Sequence, residues 1–338
     1  MQSLSECHRY YRDLEPDDAP ARLSLRQFRD DMTGTRKLLV QEHGGSARYQ
    51  ALFDKALRAR AVETTGVLTT QLLTSWERTR ERGEEVDVLD DMQDLAMRVI
   101  GMALFNRDIR SARCEAADDT ATTTANCFTE AVRSGAAVVS RQNISPVSPP
   151  WLPSRLNRRF RRARTAVDRF VYERIDERLA SGDDYDDILG ELIRAYGDDT
   201  PQPRRELRDQ VVTLFFAGFE TTAAALAWTW LLFSQNPAVE ARFHEELDTV
   251  LGNRAPQSEE LKALAYTSQV IQESLRMYPP VCPERFDATF ATVEMLTVLA
   301  VAGQRVRLRR STEGPVAATP AVTQRSADGL RMRVEARS

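Results

Sequence analysis

A glutamate and a threonine stand side by side, Glu220 and Thr221, in a run that is otherwise mostly apolar from Thr213 to Phe233. An ionisable group in such surroundings is costly unless partners or water serve it. A carboxylate beside a hydroxyl can relay protons to a bound ligand. Just before the pair, Ala217 and Gly218 leave a flat notch where a planar ligand can approach a helix backbone closely. Thr221 can also turn its hydroxyl to the carbonyl of Ala217, loosening or bending the helix locally. The same string suits an ordinary packed helix whose threonine satisfies its own backbone, so the motif alone leaves both readings open.

A second constellation is Glu273-Ser274-Leu275-Arg276, which sets opposite charges at i and i+3 on one helix face. As a surface ion pair it is worth roughly half a kcal/mol. As a buried pair it needs a second guanidinium, and Arg285 in Pro283-Glu284-Arg285-Phe286 is the candidate. A buried carboxylate forked by two arginines is tolerable only as a fully bonded network. The four cysteines (Cys7, Cys114, Cys127, Cys282) and three histidines (His8, His43, His244) are scattered without metal-ligand spacing, so no metal centre is predicted from local spacing.

The elements that must position these residues read as mainly helical. Helical periodicity runs through Leu23 to Glu42, Tyr49 to Arg82 and Val86 to Phe105. It resumes over about Pro153 to Leu179, Tyr266 to Tyr278 and Thr289 to Ala302. Pro279-Pro280 stops the fifth of these. A helix from Pro237 is predicted with Asn236 as its cap, proline at its first position and Gly252 closing it. Arg305 to Arg309 and Leu330 to Val334 alternate polar and apolar and read as short strands. The fold class expected is mainly α with a small C-terminal β element, in a single domain over residues 1–338.

Composition narrows the function classes. With 42% hydrophobic and 28% charged residues the chain reads as a soluble globular protein. A formal net charge of −4, with both signs interspersed, gives no domain-wide basic surface, so no nucleic-acid partner is expected. The arginine clusters at Arg158 to Arg164 and Arg305 to Arg310 are short and read as a solvated helix face and a strand edge. Thr213 to Phe233 is long enough to span a bilayer. Glu220 near its middle would cost roughly 2–3 kcal/mol there, so it reads as the buried central helix of a soluble domain, with no membrane span. Met1 to Asp18 lacks a hydrophobic signal core, and a cytoplasmic location is expected.

The order of these pieces resembles the cytochrome P450 family. The family carries an A-G-x-[DE]-T-T helix, then E-x-x-R followed by Y-P-P, then P-E-R-F. This chain has Ala217 to Thr222, Glu273 to Arg276 with Tyr278-Pro279-Pro280, and Pro283 to Phe286 in that order. The text between also looks like the family: Leu226 to Trp230, Asn236-Pro237, Glu245-Glu246-Leu247 and Leu264-Ala265-Tyr266. The resemblance runs from about Leu23 to the C-terminus. It implies a haem cofactor facing Ala217 and Gly218, with Glu220 and Thr221 assisting dioxygen activation. Glu273, Arg276 and Arg285 would lock the fold beneath the haem. The implied activity is a monooxygenase acting on a hydrophobic small molecule, with a ferredoxin or flavoprotein supplying electrons.

Three blocks of the family pattern are missing. The loop F-x-x-G-x-[RH]-x-C-x-G, whose thiolate binds the haem iron, should precede the helix that begins near Phe290. The ligand position, five residues before Phe290, holds Arg285. Cys282 lies three residues too early and lacks the surrounding glycines, so it reads as a small semi-buried residue rather than a substitute ligand. Strands and a meander are missing near 281–283. Near 45–46 the first sheet and the W-x-x-x-R helix start are absent, leaving Arg48 as a possible remnant. Junctions therefore fall near 45–46, 281–283 and 287–288. The reading preferred is an incomplete version of a haem monooxygenase, inactive as it stands. The alternative is a haem-free scaffold or partner protein, which explains the lost cysteine but not the buried acid at Glu220. A third possibility, a remnant that folds badly, follows if the lost sheet leaves apolar faces exposed.

Overall fold

The structure, a computed structural model, describes residues 57–109, 131–132, 154–181, 185–196, 203–280, 289–311, 316, 318–319, 325–326 and 329–337. The predicted helix Leu23 to Glu42, Cys282 and Arg285 lie outside the described residues. Helices dominate what is described: α1 (Leu57–Glu81), α2 (Val88–Phe105), α3 (Arg155–Ser181), α4 (Ile188–Tyr196) and α5 (Pro203–Gln235). They continue with α6 (Pro237–Leu251), α7 (Ala265–Met277) and α8 (Thr289–Gly303). The strands are β1 (Val86–Asp87), β2 (Val306–Arg310), β3 (Ala318–Thr319), β4 (Arg325–Ser326) and β5 (Arg331–Ala336). The mainly α class with a small C-terminal sheet is what the sequence predicts.

The chain forms two compact units. In the first, the described residues are 57–99 and most of 218–337. Its core is a helix cluster in which Ala223 to Leu231 of α5 are all buried, Thr229 among them. A helix segment apolar on every side has no face that tolerates water, so neighbours must enclose it. Met92, Leu95, Ala96 and Val99 of α2, Leu73 and Trp76 of α1, and Val298 to Ala302 of α8 are buried in the same unit. α8 packs along α1, with Gly66 facing Val301.

Polar joints fix the remaining elements of this unit. Glu246 of α6 accepts from the Tyr266 and Thr267 backbone N–H groups at 2.6 and 2.8 Å and from the Thr267 hydroxyl at 2.7 Å. It thereby satisfies N–H groups that the start of α7 leaves without helical partners. The Thr229 and Ser274 hydroxyls join α5 to α7 at 2.9 Å. Arg309 of β2 forks onto Glu240 of α6 at 2.9 and 2.6 Å. Burial opposes ionisation of Glu240, but His244 and the Arg309 fork outweigh it and hold the carboxyl at about 2.

Asn236 departs from the expected role. It precedes α6, but its side chain makes no cap bond there; its Nδ2 donates instead to the Leu232 carbonyl at 2.8 Å, closing the end of α5. One residue separates two helices, and the free carbonyl of the first competes for the same amide. The other end of α6 behaves as predicted, with Gly252 left-handed at φ 52°.

The sheet is β1-β5-β2, antiparallel throughout, with Val306 opposite Ala336, Arg310 opposite Met332 and Val86 opposite Met332. Met332, Val334, Val306 and Leu308 face inward while their neighbours alternate outward. Asp87 ties strand to helix. Its Oδ1 accepts from Leu89 and Asp90 at the start of α2 (3.2 and 3.3 Å) and from the Leu330 N–H at 3.0 Å.

The second unit holds α3, α4, residues 100–109 of α2 and 203–217 of α5. Asp187 caps α4 through the Gly190 N–H at 2.9 Å and pairs with Arg178 of α3. Arg178 also donates to the Phe105 carbonyl at 2.9 Å and lies over the Tyr185 ring at 3.4 Å. Arg208 binds Asp168, and Arg204 binds Asp176 at 2.6 Å, so the start of α5 is held on α3 by charge.

Gly329 adopts φ 76°, and a Cβ there would overlap the Asp87 carboxylate. Gly329→Ala is therefore expected to lower stability by about 2–4 kcal/mol, read as a lower urea midpoint. An unchanged midpoint would show that the β1–β5 joint does not depend on this close approach.

Candidate functional site

The site begins on α5, whose length follows from an apolar run without an interior glycine pair or proline to break it. Phe219 and Glu220 are buried, Thr222 is buried, and Gly218 and Thr221 are partly exposed. The acid thus points into protein on a helix whose following residues, Ala223 to Leu231, form the core. Glu220 and Thr221 both make interactions within the fold. The Thr222 hydroxyl is buried without a hydrogen-bond partner.

Glu273 and Arg276 meet as the E-x-x-R spacing predicts, through two hydrogen bonds of 2.6 Å. Their side chains are 53% and 64% exposed, so the pair as it stands is a surface fork. The Arg276 bond holds the Glu273 carboxyl below its ordinary value. At this exposure the fork contributes little to stability. Beyond it, Tyr278 stacks on Trp228 of α5 with ring centres 4.2 Å apart and planes within 5°. α7 is thus anchored by its aromatic end rather than by its ion pair.

One residue to which the sequence reading gave no role is Glu294 on α8. It is 2% exposed, and its Oε1 has no hydrogen-bond partner. Burial raises its carboxyl well above the ordinary value, so the uncharged form is favoured. The signal was present in the sequence: an acid inside Phe290 to Gly303, an apolar helix, is as anomalous as Glu220 in α5.

A family model, Cytochrome P450, matches residues 46–285. Cyclooctat-9-en-7-ol 5-monooxygenase of Streptomyces melanosporofaciens is 38% identical over 215 residues, covering 63% of this chain and 44% of that relative. Pentalenene oxygenase of Streptomyces avermitilis is 32% identical over 202 residues, covering 59% and 42%. The solved heme domain of a cytochrome P450DA mutant superposes with a TM-score of 0.68 at 19% identity, covering 85% of this chain and 75% of that one. The fold is therefore that class of mainly helical core with a small antiparallel sheet. The chain belongs to the cytochrome P450 family. It spans less than half the length of these two curated relatives.

The family implies haem, and the residues present do not fit its iron. A haem thiolate site needs a cysteine sulfur on the proximal side. The position the pattern reserves for it carries Arg285, whose guanidinium donates hydrogen bonds and offers no lone pair to a metal. Among the described residues no group of three His, Cys, Asp or Glu is placed to hold a metal ion. Glu294, the sixth residue of α8, has a buried oxygen without a hydrogen-bond partner.

Because the folded Glu294 carboxyl titrates above its ordinary value of 4.5, the folded state holds a proton that the unfolded chain has released. Stability is then greatest at or below that value. It declines as pH rises, by about 1.4 kcal/mol per unit, until the folded carboxyl ionises. Glu294→Gln removes this component, so urea unfolding followed from pH 5 upward gives a shallower decline for the variant. Parallel profiles would show that Glu294 is solvated.

Proposed function

We propose that this chain is the incomplete helical core of a haem-thiolate monooxygenase, inactive as it stands. The complete form would insert one oxygen atom from dioxygen into a hydrophobic small molecule, with electrons from a ferredoxin or flavoprotein. The observation that carries the reading is the buried acid of α5: Glu220 is 8% exposed on a helix otherwise built for packing. An acid there costs stability in a plain structural helix, whereas beside Thr221 it suits proton delivery to a ligand over Ala217 and Gly218. Two relatives are named for the oxidation of cyclooctat-9-en-7-ol and pentalenene. They support a hydrocarbon-framed substrate. A haem-free scaffold accounts for the missing cysteine but leaves Glu220 unexplained. The single domain and the haem-side roles of Glu273, Arg276 and Arg285 belong to this proposal, with Arg285 reaching the pair only once the missing loop is supplied.

The test is spectroscopic. Purified with added haem and reduced under carbon monoxide, the chain is expected to lack the red-shifted Soret band of a thiolate-bound ferrous complex. The same chain with the first sheet, the meander and an F-x-x-G-x-R-x-C-x-G loop restored at the three junctions is expected to show it. A band from the unaltered chain would mean that Cys282 or another residue serves as ligand, and the inactivity would be refuted. A restored chain that folds but never yields the band would favour the scaffold.

A further inference from the structure

Between Glu130 and Asp168 the sequence holds eight arginines and no acid, in a chain whose net charge is −4. The part of this run that the structure describes is the first half of α3. At 100° per residue, Arg155, Arg158, Arg159, Arg162 and Arg169 fall within about 100° of arc along about 21 Å of helix. All five are exposed. The opposite side, Ala163, Val167, Val171 and Ile175, is buried. Arg161, beside the stripe, is exposed and donates to the Asn157 carbonyl at 3.4 Å, while Arg164, also exposed, lies on the opposite side, 3.6 Å from Asp168. Further along the same helix the pattern reverses, since Arg174 is paired with Glu177 at 2.7 Å and Arg178 with Asp187. The five-arginine stripe at the first end of α3 therefore faces solvent, while Arg174 and Arg178 at the other end are tied into ion pairs.

Such a face is matched by phosphates in an extended array. A nucleic-acid duplex needs a broad basic surface, and the rest of this chain is acidic enough to bring the pI to about 5.7. A lipid surface needs only one straight, one-sided stripe. Each arginine within a Debye length of anionic headgroups adds to binding independently of the distant charge. A bilayer is also where a hydrophobic substrate accumulates, a consideration that rests on the function proposed above. We propose that the arginine face of α3 docks this protein on an anionic lipid surface.

The experiment is co-sedimentation of the full chain with vesicles at low salt, about 0.05 M. Phosphatidylcholine vesicles containing phosphatidylglycerol are expected to carry the protein down, and pure phosphatidylcholine vesicles to leave it in solution. Arg158→Gln with Arg162→Gln, both on the exposed face, is expected to lower the partition coefficient roughly thirtyfold. Arg305→Gln with Arg307→Gln, at the other basic cluster, is expected to leave it unchanged. No sedimentation with anionic vesicles, equal loss from both double variants, or a duplex oligonucleotide that strips the protein from vesicles at equal phosphate would each overturn the proposal. None of these readouts depends on haem, so failure here and absence of a Soret band are separate results.

Discussion

The middle of α5 has no side that water can touch, and that constraint organises the first unit. Ala223 to Leu231 are buried all round, which requires neighbours on every side. α7 is fastened there by Thr229–Ser274 and Trp228–Tyr278, and Phe243 of α6 stacks on Phe233 further along α5. Apolar burial of this kind is non-directional, so it sets which helices gather but not their register. Register comes from the few polar joints: Glu246 on the start of α7, Arg309 on Glu240, and Asp87 between β1, α2 and Leu330. Each is a charged acceptor or donor that forfeits its bonds if the elements slide.

Much of this was legible because it is local. The Pro237 helix, its Gly252 end, the stop at Pro279 and the alternation of β2 and β5 each follow from residues within one element. What the sequence did not disclose is non-local or competitive. β1 is two residues long, too short for any period, and exists because β5 offers it an edge. Asn236 serves the helix before it instead of the one after, a choice between two reachable partners that spacing cannot settle. Glu246 caps a helix twenty residues on, which only the fold brings within reach. At the candidate site the order of motifs identified the family, and Glu220 was found as an acid out of place. Glu294 carries the same signal, an acid inside an apolar helix.

The two buried acids frame the chemical argument. Each keeps a buried Oε1 without a hydrogen-bond partner, and Glu220 makes other interactions within the fold. A buried polar atom left unpaired costs more than a hydrogen bond gains, so a helix bundle with no ligand and no further segment to bind has nothing to offset Glu294. Replacing it by an apolar residue of similar size would pack the same bundle better. On the function proposed above, Glu294, the sixth residue of α8, is an acid whose partners a further segment would supply. On that proposal its orphaned oxygen and Arg285, at the sequence position the family pattern reserves for the ligand, express one defect: the helices that would surround a prosthetic group are present, and the loop that would fasten its metal is not.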